Sequence, residues 1–415
     1  MRELRALQYG TSWSRLGRLV PPDESSFFGP DPIRTPLPEH VLYADADLYS
    51  ITPSLIVLTI EFVFEEEHRS VFEESLRKYR QTYETPSERG GYYIHDPGTQ
   101  KSDDIKEVRT NASRSIGDWI RKNIPGEFAA GVLQNENGFP TCEFVTLRRA
   151  RPFPSQEERN DGFGYLIPLG MHSNFLVWES ADVKGLRLDV MSRSSRLDYH
   201  SVLSVNEEDF ANRYSRDGRG CDIESLIPML HHKMSGIISV WAVVSLLEGY
   251  ADHFKELRRS TLFGDLKGVR TEAVLEDISS TLYYSLDISA VTFDLSSSLE
   301  RGAPTGFNIE TFKPCKDCLG VEPETTLWRT FLNQIADYSK WLQGIDNSLL
   351  TQLTQYGGSL GVLENVRLQQ RISSLTRVIV ILTFVLAALA LASVFNVNWS
   401  DLTEFIMRIS RTLRP

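Results

Sequence analysis

With 415 residues, 41% of them hydrophobic and 24% charged, the chain has room for two or three structural units and the ordinary balance of a protein that folds in water. Its formal net charge of −11, with no long Lys/Arg run, argues against nucleic acid as a partner, because phosphate binding needs a basic surface; an acidic domain attracts cations instead. Four cysteines, Cys142, Cys221, Cys315 and Cys318, are too few for a disulfide scaffold of this length and suit a reducing compartment.

Residues 1–50 are rich in Pro, Gly and Asp (Pro21-Pro22, Gly29-Pro30-Asp31-Pro32) and read as an irregular N-terminal segment. Met1–Val20 has no apolar run of signal-peptide type, so the large N-terminal domain is expected in the cytoplasm. A mixed α/β domain is predicted over residues 51–215. Ser54–Phe64, dense in β-branched and apolar residues, reads as a strand buried on both faces, and His68–Tyr83, with Val71, Phe72, Leu76 and Tyr79 at three-to-four spacing, as an amphipathic helix. A Gly/Asp-rich loop, Glu88–Asp104, precedes a second helix, Ile105–Asn123. Strand-like runs follow at Cys142–Leu147, Tyr165–Pro168, Phe175–Glu179, Leu186–Met191 and His200–Val205.

Over residues 222–302 the pattern turns helical, with Leu226–Leu257 and Glu272–Leu299 forming an α-hairpin around Gly264 and Gly268. Within it, Ile237–Leu247 is apolar but too short to cross a membrane and reads as a buried helix. After a loop, Gly302–Gly320, Glu322-Pro323-Glu324 is expected in the first turn of a long stalk helix over residues 322–377, where proline and acidic side chains suit the positive end of the dipole. Trp328, Phe331, Ile335, Tyr338, Leu342, Ile345 and Leu349 recur as a heptad seam, which then steps by four to Leu353 and on to Tyr356, Leu360 and Leu363. The stripe either packs on the preceding hairpin or joins copies of the chain, and self-association is the reading for its second half. Gly357, Gly358 and Gly361 each cost a helix about 1 kcal/mol against alanine, so they mark close packing or a hinge.

Val378–Phe395 then offers eighteen uncharged residues with only Thr383 and Ser393 polar, enough to cross a hydrocarbon core of roughly 30 Å at about 1.5 Å per residue. Arg367, Arg371 and Arg377 precede this single predicted transmembrane helix, residues 378–395, and Trp399 follows it as interfacial aromatics do. Thr376, Thr383, Ala387, Ala390 and Val394 share a helical face, which reads either as a packing surface between copies or as the lining of a narrow pore with Asn398 at its far mouth. Residues 401–413 alternate Leu402, Phe405, Ile406, Ile409 and Leu413 with arginines, a basic amphipathic segment suited to a membrane surface.

Few motifs carry chemistry. Cys315-Lys316-Asp317-Cys318 supplies two of the four ligands of a structural zinc site, with no second pair nearby in sequence. Asp45 and Asp47 form a D-x-D, read as a solvated loop rather than a metal–phosphate site because no phosphate-binding glycine loop accompanies it. No nucleophile signature is present, and the chain is expected not to be an enzyme.

From Leu363-Glu364-Asn365-Val366-Arg367 through Arg371-Ile372-Ser373-Ser374-Leu375-Thr376 into a span ending Ser393-Val394-Phe395-Asn396-Val397-Asn398, the C-terminal third resembles the CorA-type magnesium channel family. In that family an α/β cytoplasmic domain precedes a long stalk helix that continues into the first transmembrane helix and ends at a Gly-Met-Asn signature. Here Asn398 matches the signature asparagine, while Asn396 and Val397 stand where the family has glycine and methionine. Trp399–Pro415, with its three arginines and two acids, does not match the family's second transmembrane helix. The resemblance covers about Glu322–Asn398 and implies a related architecture, a pentamer, with Mg2+ or another divalent cation as the ion concerned and conduction lost, altered or given to one ring of helices.

Two functions from different classes follow. One is a membrane-anchored homo-oligomer with a cytoplasmic sensing domain and a cation path. The other is a membrane-attached sensor or effector that binds a ligand or protein and transports nothing.

Overall fold

The computed structural model describes residues 12–24, 32–87, 90–130, 139–159, 163–173, 177–190, 200–214, 223–263, 288–297, 311–316, 322–395, 403–404 and 408. The chain divides into two compact units, residues 1–265 with 283–346, and residues 266–282 with 347–415.

The first unit begins with a four-stranded sheet in the order β2-β1-β3-β4, from β1 (Ser12–Val20), β2 (Ile33–Arg34), β3 (Val41–Thr52) and β4 (Leu55–Phe64). The β1–β2 pair is parallel and the other two pairs are antiparallel. The expectation of irregular chain over residues 1–50 is thus corrected. Pro21-Pro22 follows β1 directly, where it ends pairing rather than prevents it. Asp45 and Asp47 do not sit in a solvated loop either: both lie in β3, each 3% exposed. Burial alone would raise the Asp45 pKa, but the Arg18 guanidinium, with Nε 2.9 Å from Oδ1 and a terminal nitrogen 2.7 Å from Oδ2, holds it below the usual carboxylate value. Cross-strand register makes this pair, since Arg18 lies opposite Asp45.

After β4, helix α1 (Glu66–Arg77) leads to a hairpin of β5 (Tyr83–Pro86) and β6 (Tyr92–His95), where the sequence reading placed a helix end and a loop. Helix α2 (Pro97–Asn123) starts eight residues before the expected Ile105. The signal lay in Asp96-Pro97-Gly98-Thr99: the Asp96 carboxylate accepts from the amides of Gly98, at 2.8 Å, and Thr99, at 3.1 Å, with proline in the first turn. A short helix, α3 (Glu127–Ala130), follows.

A mixed five-stranded sheet, ordered β11-β8-β9-β10-β7, forms the second layer. Its strands are β7 (Thr141–Leu147), β8 (Val177–Ser180), β9 (Arg187–Val190), β10 (His200–Asn206) and β11 (Phe312–Pro314); only β10–β7 is parallel. Four of these were predicted. The fifth lies inside what was read as the loop Gly302–Gly320. Tyr165–Pro168, predicted as a strand, belongs instead to helix α4 (Phe163–Leu169). Gly170, at φ +77°, ends that helix, with the Met171 amide returning to the Leu166 carbonyl at 2.9 Å. Leu166, Leu169 and Met171 are thereby buried with Ile105, Phe153, Val177 and Val202 in the apolar cluster between α2, α4 and the sheet.

Helix α5 (Glu207–Tyr214) follows β10, and helix α6 (Ile223–Phe263) comes next. From Met234 to Phe254, α6 is buried on nearly every side and packs on β3 and β4, where the hydroxyls of Tyr49 and Ser235 bond and those of Thr59 and Ser239 lie 3.3 Å apart. Of the second arm of the predicted hairpin, residues 288–297 are described and are helical, here α7. Helix α8 (Leu327–Phe395) begins after, not with, Glu322-Pro323-Glu324, which form a turn closed by the Thr325 amide on the Glu322 carbonyl at 2.9 Å.

Asn206 joins sheet and helix. Its amide nitrogen donates to the carbonyls of Leu147, at 3.0 Å, and Ala150, at 3.2 Å, while its oxygen accepts from the amides of Glu208 and Asp209 at the start of α5. Asn206→Ala removes the cap and strands two carbonyls, so urea unfolding of the purified full chain, followed by tryptophan fluorescence, should show a loss of about 2–4 kcal/mol. Asn206→Asp, which keeps the cap but sets a carboxylate oxygen against the two carbonyls, should lose at least as much at neutral pH.

Candidate functional site: an exposed apolar helix and two polar clusters

Among the described residues, two helical segments are long and apolar enough to cross a membrane by length and composition. Met234–Lys255, with mean hydropathy 1.4, lies within α6 and is 83% buried; Asn365–Ala387, with mean hydropathy 1.5, lies within α8 and none of it is buried. The first agrees with the reading of Ile237–Leu247 as a core helix. The second overlaps the predicted span over residues 378–387 and begins earlier, at Asn365.

Val378, Ile379, Val380, Ile381, Leu382, Phe384, Val385 and Leu386 all face outward, with Phe384 65% exposed. On an insertion scale of about −0.3 to −0.6 kcal/mol for each such residue near a helix centre, the eight favour a bilayer by roughly 2–5 kcal/mol. Thr376 and Thr383 donate their hydroxyls to the carbonyls of Ile372 and Ile379, each at 2.8 Å, which lowers the cost of carrying a hydroxyl into lipid. Of the other face residues, Ala387 and Ala390 are exposed, Val394 is helical, and Asn398 lies outside the described residues. Gly357, Gly358 and Gly361 are all helical, and an added Cβ at Gly358 or Gly361 would meet nothing within 4 Å. No close approach by the described chain therefore requires those two glycines. In residues 401–413 only Thr403, Glu404 and Arg408 are described, all helical, with Arg408 3.4 Å from the Glu404 carboxylate.

The heptad seam divides. Leu327, Phe331, Ile335, Ser339 and Leu342 are buried in the first unit, a stripe displaced from the predicted one at Trp328 and Tyr338. The Lys255 ammonium lies 5.4 Å above the Trp341 ring and Gln343 reaches Ser296 at 3.5 Å, so the first turns of α8 lie against α6 and α7. This half of the seam is used within the chain.

Cys315 is buried in the apolar cluster, its amide donating to the Val177 carbonyl at 2.9 Å; its predicted zinc partner Cys318 lies outside the described residues.

Two polar clusters escaped the sequence reading. On the β7–β10 pair, Thr141 Oγ1 lies 3.1 Å from His200 Nδ1, His200 Nε2 lies 3.1 Å from Glu143, and Arg109 of α2 donates to Glu143 at 2.7 Å and to the Leu169 carbonyl at 3.2 Å. Burial works to raise the Glu143 pKa, but the His200 hydrogen bond and the Arg109 charge hold it below the ordinary value. Asp189 lies beside this group on β9, with no cation in contact among the described residues; burial pushes its carboxyl up to about 6, against the opposing pull of His200. These residues alternate with Cys142 and Val190, and only the strand register reveals that they face one another. The second cluster is His40, Glu65 and Glu67, whose ligand atoms all lie within 4.8 Å of one another. Its sequence signal was the acidic-His run Glu65–His68, but nothing local points to His40.

No family model, no curated protein and no solved structure matches this chain.

Because the folded Asp189 carboxyl holds its proton up to about 6 and an unfolded aspartate releases it near 3.8, this group disfavours folding above about pH 6 and ceases to do so as pH falls through 3.8. Asp189→Asn should therefore raise the melting temperature at pH 8 and lose that advantage near pH 4. Glu143 has the opposite sign: its contribution is complete above the ordinary carboxylate pKa and is lost as pH falls through the lowered folded value. Glu143→Gln should lower the melting temperature at pH 8 and approach the parent in acid.

Proposed function

We propose that this chain is a membrane-anchored homo-oligomer of CorA-like build, in which one helix of each copy crosses the bilayer and the ring of helices provides a cation path beneath a cytoplasmic α/β domain. The observation that carries the membrane part is the exposed segment Asn365–Ala387, apolar enough to span and with no part buried by the chain. A contiguous apolar surface of this extent is a site of contact with lipid or protein. For self-association, the seam beyond Leu349 (Leu353, Tyr356, Leu360, Leu363) and the small-residue face from Thr376 to Ala390 follow one another along the same helix. The acidic composition suits a domain that draws cations. The CorA resemblance supports this reading through the order of parts, an α/β domain followed by a long helix that enters an apolar segment.

One observation favours the alternative, a membrane-attached sensor or effector without transport. The hydroxyls of Thr376 and Thr383 are already bonded to their own helix, as they would be in a simple anchor.

Two measurements separate these readings. The protein should remain with the membrane pellet after alkaline carbonate extraction, and Ile379→Arg with Leu382→Arg, each costing about 2.5–3.5 kcal/mol at a helix centre, should move it to the supernatant. A parent protein found in the supernatant would remove the anchor and with it both readings. In vesicles holding the purified protein, cation flux should be present, and Thr383→Leu should abolish it by adding a constriction that sheds water, while the oligomer mass in detergent stays the same. Leu353→Asp with Leu360→Asp should instead shift that mass towards monomer. Flux absent from the parent for every cation tested leaves the sensor or effector as the function.

A further inference from the structure

His40, Glu65 and Glu67 gather where the turn before β3 meets the junction of β4 and α1. The placement is built by backbone. His40 adopts φ 62°, the Val41 amide bonds the Pro38 carbonyl at 3.2 Å, and the Glu65 amide bonds the His40 carbonyl at 2.9 Å, fastening the turn to the end of β4.

Acidic residues in a first helical turn are ordinarily explained by the helix dipole, and Glu66 and Glu67 satisfy that explanation. Glu65 does not. It stands at the N-cap, where a side chain would accept from the first amides, yet it makes no capping bond. Among the described residues, neither the Glu65 nor the Glu67 carboxylate takes part in a hydrogen bond or ion pair, and both stand with the His40 imidazole instead. From the neighbouring turn of α1, His68 stacks on the Phe64 ring at 4.4 Å and lies 6.0 Å from the His40 ring, with 27° between the two imidazole planes.

We propose that His40, Glu65 and Glu67 bind a divalent transition-metal ion of the Zn2+ type. One imidazole nitrogen and two carboxylates are the three protein ligands of an open site in which water fills the remaining position. Imidazole selects Zn2+ and its neighbours over Mg2+, which prefers an octahedron of oxygen and retains its waters. His40 and Glu67 are exposed, so the ion exchanges with the medium and occupancy follows free metal concentration. Binding would also fasten α1, which has no buried residue of its own, to the start of β3. The site is independent of the membrane segment and stands whichever reading of α8 holds.

The test is a Zn2+ titration of the purified full chain in detergent against a competing chromophoric chelator, paired with the absorption spectrum of the Co2+ form. The informative variants are His40→Asn, which keeps the positive φ accessible, and Glu65→Gln with Glu67→Gln. Each should weaken Zn2+ binding by about tenfold or more, since each removes a first ligand, while Glu322→Gln, at an exposed turn before α8, leaves it unchanged. The Co2+ spectrum should lack thiolate charge-transfer bands. Mg2+ in large excess should not displace Zn2+. Absence of Zn2+ binding, affinity unchanged in both variants, a cobalt–thiolate spectrum or ready displacement by Mg2+ would each overturn the assignment. Circular dichroism of the variants distinguishes loss of the site from loss of the fold, and a variant that unfolds is replaced by Glu67→Gln alone.

Discussion

A helix that is apolar on every side has no face to offer water, and this constraint organises the molecule. Helix α6 meets it inside the chain: β3 and β4 lie on it, the first turns of α8 lie against it, and its serines turn their hydroxyls back onto carbonyls one turn away, as Ser239 does to Ser235 at 2.7 Å and Ser245 to Trp241 at 3.0 Å. The apolar stretch of α8 is built in the same way, with Thr376 and Thr383 turned back like those serines. It differs in that none of the described chain covers it. Two segments of nearly equal hydropathy, 1.4 and 1.5, thus face opposite surroundings, and burial alone tells them apart.

How much of this was legible in sequence depended on how local the cause was. Strands β4, β7, β8, β9 and β10 and helix α6 announce themselves through runs of β-branched or apolar residues; the strand boundaries hold to within two residues, while α6 runs six residues past the expected Leu257. Strand β3 was hidden because its alternation is Ala-Asp-Ala-Asp, polar on a face that the sheet and Arg18 bury. Helix α4 was hidden because Tyr165, Leu166, Ile167 and Pro168 have strand-like composition; Gly170 was the signal against it. Strand β11 could not be read at all, since three residues become a strand only through pairing with β8. The polar clusters are the extreme case: Arg109, Glu143 and His200 meet only through the parallel pairing of β7 with β10.

The seam of α8 carries a related lesson. A heptad pattern states that one face of a helix is apolar without saying what covers it. The buried stripe of the first turns runs through Leu327, Phe331, Ile335 and Leu342 rather than through Trp328 and Tyr338, and Trp341 and Gln343 beside it touch α6 and α7. The three-to-four spacing holds over the first turns, but two of its positions fall elsewhere, and the covering partner is not specified by it.

Strand β11 also sets an order of events during synthesis. It joins the edge of a sheet whose other strands were made more than a hundred residues earlier, with α6 and α7 intervening, so the sheet has an open edge at β8 until residue 314 has left the ribosome. Pairing at such sequence separation is slow, and an unpaired edge invites association with other chains. The exposed apolar segment begins at Asn365, fifty-one residues after Pro314. At about 5–20 residues per second, a few seconds separate the two. The chain thus has a short interval in which to close its sheet before its most adhesive surface emerges, and a cell making it must protect first an edge and then a helix.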